Sequence, residues 1–468
     1  MSDRQFKPVL GLWDATMIVA GSMIGSGIFI VSADILRNVG SAGWLIWVWV
    51  ITGFMTITAA VSYGELSGMY PKAGGQYIYL KEAYGRLIAF LYGWSFFAVI
   101  QTATIAAVGV AFSKFTAYLI PGVSEDLVLF NLGFTSVSPA QLLAISTIVL
   151  LTYVNTRGIR EGKFVQTTFT VTKIASLLGL TIFGLILMKG NVWDMNWSGT
   201  QGLFPLSADG SVGSYSMVAM LGAIAAAMVG SIFSSDAWNN VTFIAGEIKN
   251  PQRNIGLSLF LGTLMVCVLY VLTNFMYTAV LPVEEIAFAD KDRVAVSASH
   301  VIFGPTGTVI IALMIMVSTF GCNNGLILSG ARVSYMMAKD GLFFKPAGNL
   351  NRAAVPQTAL WFQCALASVW CLSGKYGDLL DMICFVVVIF YVLTIVGIFI
   401  LRRKKPDVPR PYRAFGYPVL PLIYVLMGTS FCVLLIVYKP EFTWPGLIIT
   451  LTGIPIFFLT KGGVGTKP

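Results

Sequence analysis

The chain has 468 residues, 56% hydrophobic and 11% charged, with mean hydropathy +0.80 and a formal net charge of +9. Soluble domains carry about 25% charged residues, so this composition excludes a soluble globule and points to a polytopic membrane protein. The basic balance could suit a nucleic-acid binder, but the positions of the charges account for it without nucleic acid.

Apolar runs long enough to cross a bilayer (~20 residues, longer if tilted) fall at 10–36, 43–67, 86–119, 140–156, 164–188, 215–246, 255–281, 301–338, 354–372, 379–401, 418–438 and 444–460. They predict an all-α fold of twelve membrane segments, numbered here in chain order. The fourth and twelfth are short. An even number places both termini on one side. Met1 to Pro8 is polar and leads into an apolar run without a small-residue cleavage site, so no removable signal peptide is read.

The termini and the even-to-odd loops carry 22 of the 30 basic residues: Arg4, Lys7, Lys72, Lys81, Arg86, Arg157, Arg160, Lys163, Lys249, Arg253, Arg332, Lys339, Lys345, Arg352, Arg402, Arg403, Lys404, Lys405, Arg410, Arg413, Lys461 and Lys467. The opposite loops carry seven: Arg37, Lys114, Lys189, Lys291, Arg293, Lys375 and Lys439. Basic loops stay cytoplasmic, so both termini are expected in the cytoplasm. The run Arg402 to Lys405 with Arg410 and Arg413 reads as an orientation signal touching anionic headgroups.

Two segments are interrupted. In segment 1 the interruption is Gly21-Ser22-Met23-Ile24-Gly25-Ser26-Gly27-Ile28-Phe29. Each Gly costs a helix about 1 kcal/mol against Ala. In hydrocarbon, unwound backbone is tolerated only where protein buries it or a cavity is lined. The break is either a half-helix end aimed at a polar ligand near the midplane or a small-residue packing face or kink. In segment 6 the interruption is Gly230-Ser231-Ile232-Phe233-Ser234-Ser235-Asp236-Ala237-Trp238-Asn239-Asn240. The two stand five segments apart, as in an inverted repeat of 10–188 (segments 1–5) and 215–401 (segments 6–10). Segments 11 and 12, 418–460, then lie outside the repeat in one transporter domain. Paired interrupted segments in corresponding halves point to a transporter site.

The chemistry of catalysis is thin. His300, the single histidine, lies in a loop, and no nucleophile–base pair or metal-ligand spacing is evident. Cys267, Cys322, Cys364, Cys371, Cys384 and Cys432 read as buried thiols rather than a disulfide framework. No enzyme, metal or cofactor is expected.

Four stretches in order carry a family resemblance. Gly21 to Phe29 resembles the helix-1 signature of the amino acid–polyamine–organocation (APC) superfamily. Tyr70-Pro-Lys-Ala-Gly-Gly-Gln-Tyr-Ile-Tyr79 resembles its loop after helix 2. Gly246-Glu-Ile-Lys-Asn-Pro-Gln-Arg-Asn-Ile255 and Arg332-Val-Ser-Tyr-Met-Met-Ala-Lys-Asp-Gly341 resemble the loop after helix 6 and the end of helix 8. Within the superfamily the chain is similar to bacterial members of the L-type amino acid transporter group. The resemblance implies a LeuT-like 5+5 inverted repeat, alternating access, an amino acid as partner and a cytoplasmic-membrane location. Eukaryotic relatives that bind a glycoprotein heavy chain use a cysteine between helices 3 and 4. Residues 120–139 contain none, so no disulfide-linked heavy chain is expected.

A free amino acid offers a carboxylate and an ammonium, and a broken helix answers both. N–H groups of Gly25, Ser26 and Gly27, at the start of the second half-helix, suit the carboxylate. The resemblance assigns the ammonium to carbonyls around Met23 and Ile24 in segment 1 and from Phe233 through Ser234 and Ser235 to Asp236 in segment 6. It makes Phe233 a gate and has Trp238 and Asn239 line the side-chain pocket. Packing for the aromatics and back-bonding for the serines are the plainer readings. Asp236 departs from the eukaryotic L-type pattern, which has a small residue there. It could pair with the ammonium, carry a proton, or cap the second half-helix.

Lys173, the basic residue deepest within a segment, stands where the resemblance places an ammonium in lieu of Na⁺. An ion pair is the alternative, and the depth of some 15 Å argues against snorkelling. Glu65 and Glu247 are expected to pair with loop bases such as Lys72 and Arg253. Gln101 and Thr102 either face the site or bond within the bundle. The function expected is a sodium-independent exchanger of neutral L-amino acids. The alternatives are a proton-coupled symporter and a transporter-like receptor.

Overall fold

The computed structural model describes residues 6–131, 136–198, 201–207, 213–373 and 376–461; Arg4, Lys375 and Lys467 lie outside the described residues, as do the side chains of Arg160, Lys163 and Lys461. Helices dominate. The strand pairs among the described residues are Phe130–Asn131 with Ser136–Val137 and a parallel bridge between Leu10 and Ile248.

Nine helices among the described residues are long and apolar enough to cross a membrane, and the chain is a multi-pass membrane protein. They coincide with segments 2–8, 10 and 11. Segment 1 is not among them because it is divided into Leu12–Met23, a 3-10 turn Gly27–Phe29 and Ser32–Val39. Segment 9 is the 17-residue helix Gln357–Ser373. Segment 12 lies in Pro440–Lys461, which has Pro445 and Pro455 inside it. Segment 8 departs from its predicted start at 301. Val294–Lys339 runs through a non-helical Gly304, φ +70°, immediately before Pro305. Proline disfavours the α region for the residue before it.

Outward-facing Trp47, Phe54, Leu150, Phe183, Val268 and Leu451 are exposed. An apolar exterior of this kind has lipid as its solvent, so packing between helices relies on close backbone approach rather than on hydrophobic exclusion. Small residues supply that approach. A Cβ on Gly262 of Pro251–Val280 would stand 2.5 Å from Val19, and one on Gly256 would stand 3.4 Å from the Gly64 Cα. Segments 1, 2 and 7 thereby form a tight block.

The Pro-Lys-Ala-Gly-Gly loop has a matching cause. Gly74 (φ +94°) and Gly75 (φ +41°) take left-handed conformations. A Cβ on Gly75 would collide with Thr242 at 2.1 Å, and the Gly74 N–H donates to the Phe243 carbonyl at 3.0 Å. The loop is a backbone dock for the second half of segment 6. At the same end of the molecule, the Val9 and Leu10 N–H groups donate to the Glu247 carbonyl, and Lys249 N–H donates to Leu10. The entry of segment 1 is thus tied to the exit of segment 6.

Candidate functional site

The two interruptions meet in space. Leu12–Met23 ends where Ile24 turns to ψ 89°, and Met217–Ser234 ends at Ser235, followed by Ala237 at φ +62°. A Cβ on Gly27 would lie 1.9 Å from the Ser234 Oγ, and one on Gly230 would lie 2.8 Å from the Val31 side chain. Glycine at 27 is therefore a requirement of contact between the broken helices.

Side chains of three other segments take the carbonyls that the segment 1 break leaves outside regular helix. Lys173 Nζ is wholly buried and donates to the carbonyls of Gly21 and, at 2.7 Å, Ile24. Cys322 Sγ donates to the Ser22 carbonyl at 3.1 Å, and Ser318 Oγ stands 3.4 Å from the Ile24 and Gly25 carbonyls. The Tyr270 hydroxyl donates to Met23 at 3.0 Å and lies 3.2 Å from the Ser234 carbonyl, bridging both breaks. Tyr277 donates to Ile28 at 3.1 Å, and Ser32 Oγ donates to Asn274 Oδ1 at 2.7 Å. Tyr270, Asn274 and Tyr277 are spaced i, i+4, i+7, so one face of their helix meets segment 1. Buried backbone polar groups are costly when unpaired, and these side chains keep the unwound turn at membrane depth.

The segment 6 break is organised by its own side chains. Asp236 Oδ1 accepts from the Tyr391 hydroxyl at 2.5 Å. Trp238 is buried, with its ring 5.2 Å from Tyr391 and 4.8 Å from Tyr63. Asn239 Nδ2 donates to Gln76 Oε1 at 2.9 Å, and Gln76 Nε2 donates to Thr394 at 3.0 Å. Asp236 and Asn239 line a cavity with Gln76, Gln101 and Tyr391, while Ser235, Asp236 and Trp238 border a second with Thr52 and Tyr424. Neither cavity is lined by Met23, Ile24, Gly25, Ser26 or Gly27. The predicted site residues thus divide between a backbone cluster at segment 1 and a side-chain cluster beyond the segment 6 break.

Several expectations change. Capping by Asp236 is not what its side chain does; the short helix Asn240–Phe243 has Asn239 at its N-cap position, without a side-chain cap bond. Ser234 Oγ bonds back to the Gly230 carbonyl at 2.7 Å, the plainer of its readings. Phe233 is buried at the end of its helix. Gln101 both lines the cavity and donates to the Leu326 carbonyl at 2.6 Å, while Thr102 bonds within its helix to Phe97.

The expected partners of the buried glutamates are corrected. Glu65 meets Arg402 at 2.6 Å and Arg410 at 3.4 Å and accepts from the Ala414 N–H. Glu247 meets Arg332 at 3.1 Å. Both carboxylates are buried, and Lys72 and Arg253 are exposed. A buried charge requires a partner that is itself close and desolvated. The run beginning at Arg402 is correspondingly more than a headgroup contact. Arg402 also stacks 3.5 Å over the Tyr417 ring, and the hydrogen bond that Lys405 donates to Glu82 holds its ammonium above the ordinary pKa.

Sequence reasoning passed over Tyr270, Asn274, Tyr277, Gln76, Ser318, Cys322 and Tyr391. The polar i, i+4, i+7 stripe in segment 7 was a usable signal, as was the i, i+4 pair Ser318 and Cys322. Tyr391 lies in an apolar run with nothing to mark it.

A family model described as Amino acid permease matches residues 10–459. The chain is 31% identical over 456 residues to the large neutral amino acids transporter small subunit 2 of Homo sapiens, covering 97% of this chain and 80% of that one. It is 29% identical over 464 residues to the serine/threonine exchanger SteT of Bacillus subtilis (strain 168), covering 98% of each. It is 28% identical over 457 residues to the b(0,+)-type amino acid transporter 1 of Mus musculus, covering 96% of this chain and 87% of that one. With a family match over nearly its whole length and a relative above 30% identity, this chain belongs to the amino acid permease family of the APC superfamily.

Proposed function

We propose that the chain is a sodium-independent exchanger of neutral L-amino acids, working by alternating access in the cytoplasmic membrane with both termini in the cytoplasm. Twelve segments cross the bilayer, with 10–188 and 215–401 as inverted repeats and 418–460 outside them. The observation that carries this reading is the Lys173 ammonium, wholly buried and bound to the Gly21 and Ile24 carbonyls. A cation built into the protein at the end of a broken helix does the work that a bound metal cation would do there.

In this reading the substrate carboxylate takes the N–H groups of Gly25, Ser26 and Gly27. The ammonium takes carbonyls from Met23 and Ile24 and from Phe233, Ser234, Ser235 and Asp236. Phe233 closes over the bound molecule. Trp238, Asn239 and Asp236, beside the Tyr391 cavity, meet the side chain. To reach its carbonyls the ammonium must displace or share with the Tyr270 hydroxyl, which ties Met23 to Ser234, and share the Ile24 carbonyl with Lys173. Substrate binding and movement of the two half-helices are thereby linked. The absence of a cysteine from 120–139 supports function without a disulfide-linked heavy chain.

The relatives named as an exchanger and as amino acid transporters support the substrate class. The test is uptake of radiolabelled L-leucine and L-serine into proteoliposomes, with and without unlabelled amino acid inside. Uptake that requires internal amino acid supports exchange. Uptake into empty vesicles driven by a proton gradient replaces it with symport. Saturable binding with no uptake replaces it with a receptor.

A further inference from the structure

A third cavity lies away from both helix breaks. It sits beyond Leu281, at the far end of Pro251–Val280 from the bridge between Leu10 and Ile248. That helix has 30 residues, about 45 Å at 1.5 Å per residue. The cavity therefore opens on the face opposite the tie between the segment 1 entry and the segment 6 exit. It encloses about 280 Å³, just below the ~300–1,000 Å³ of drug-sized pockets. A metabolite of amino acid size suits it.

Its lining is unusual in its charges. Arg293 is only 7% exposed, yet it faces the cavity. Its Nε, buried, has no hydrogen-bond partner among the described residues, and its terminal nitrogen lies 3.4 Å from Asp290, a long contact. The guanidinium also sits 5.5 Å above the Tyr118 ring. A buried guanidinium with an unmet donor is costly. Arg293 lines the cavity, and a planar guanidinium fork is the group that best fits a carboxylate. Asp290 and Glu285, both exposed, line the same cavity, and Leu281 and Val296 supply an apolar wall. One cation, two carboxylates and an apolar wall make the complement of a zwitterion with a neutral side chain.

We propose that this cavity binds a free neutral amino acid at a second site, separate from the one between the broken helices. The carboxylate meets the terminal nitrogens of the Arg293 guanidinium, displacing the long contact to Asp290. The ammonium lies between Asp290 and Glu285, and the side chain lies along Leu281 and Val296. The proposal rests on the reading of the chain as an amino acid carrier, because that reading supplies the ligand class. It adds a place where substrate is held before it reaches the central site.

The test is equilibrium binding of radiolabelled L-leucine and L-serine, each in turn, to the purified full chain in detergent. It compares wild type, Arg293→Gln, Glu285→Gln and the central-site variant Gly25→Val. The expected result is two molecules bound per chain in wild type and one in Gly25→Val. Arg293→Gln loses the remaining component, or weakens it by at least about tenfold, and Glu285→Gln weakens it in the same direction. Glu285 is exposed, so that variant stands even where Arg293→Gln fails to fold. One molecule per chain, lost in Gly25→Val and unchanged in both cavity variants, would overturn the second site while leaving the carrier reading intact. Two molecules in both cavity variants would place the second site elsewhere. Co-purified phospholipid lost only in the cavity variants, with amino acid binding unchanged, would make the cavity a headgroup site and overturn the proposal. No binding in any form, together with no uptake, would remove the carrier reading itself.

Discussion

The breaks in segments 1 and 6 solve the same problem in opposite ways. Segment 1 offers almost nothing but backbone, and its carbonyls are held by Lys173, Tyr270, Tyr277, Ser318 and Cys322 from elsewhere. Segment 6 reaches outward with its own side chains, Asp236 to Tyr391 and Asn239 to Gln76. All amino acids share a carboxylate and an ammonium, and backbone groups on a fixed turn suit those constant parts. Side chains on a turn suit the part that varies. The difference suggests a division of labour, in which segment 1 recognises an amino acid as such and segment 6 selects among them.

The largest expected effect lies on the segment 1 side. Lys173→Met removes the donor to two buried carbonyls, and each buried group left unpaired costs about 1–3 kcal/mol. Uptake should fall by roughly a hundredfold, equivalent to about 2.8 kcal/mol, for every amino acid alike. Initial rates across a panel of substrates check this, and a loss confined to some side chains would break the proposed division.

Gly27→Ala comes next. Its methyl would meet Ser234 Oγ at 1.9 Å, and overpacking of this kind costs about 1–3 kcal/mol. Thermal unfolding in detergent should show the loss, and adding Ser234→Gly should restore part of it. Strict additivity of the two substitutions would contradict contact between the breaks.

Tyr391→Phe tests the other side. It removes the 2.5 Å hydrogen bond to Asp236, and a bond to a charged group is worth about 1.5–3 kcal/mol. The KM should change by roughly tenfold or more for some side chains and little for others. A uniform change across the panel would merge the two roles. The smallest effect is expected for Tyr277→Phe, which loses one neutral bond to the Ile28 carbonyl. That is worth about 1 kcal/mol, read as a modest drop in thermal stability with substrate preference unchanged.

The two breaks themselves were legible in the sequence. Glycine and serine clustered in an apolar run mark a helix that cannot continue, so both interruptions could be placed to within a few residues. A lysine deep in an apolar segment demands a partner, so Lys173 stood out before its carbonyls were known. Partners across the bundle were not legible. Glu65 was paired in expectation with a nearby loop base, whereas it meets Arg402 and Arg410, far along the chain. Burial selects partners by three-dimensional packing, and sequence distance carries little of that information. Tyr391 was missed for the same reason, since an aromatic in an apolar run looks like core until an aspartate is found at its hydroxyl. The division of the site into two clusters is a packing result, and no spacing in either segment announces it.

The most direct measurement is exchange of radiolabelled L-leucine and L-serine in proteoliposomes loaded with amino acid, for wild type and Lys173→Met, with sodium present or replaced by choline. A lysine that stands in for the cation predicts wild-type exchange identical in the two salts and a large loss in Lys173→Met. Wild-type exchange that rises with sodium, or a Lys173→Met variant that exchanges as well as wild type, would contradict the assignment of Lys173 as the resident cation of the segment 1 break.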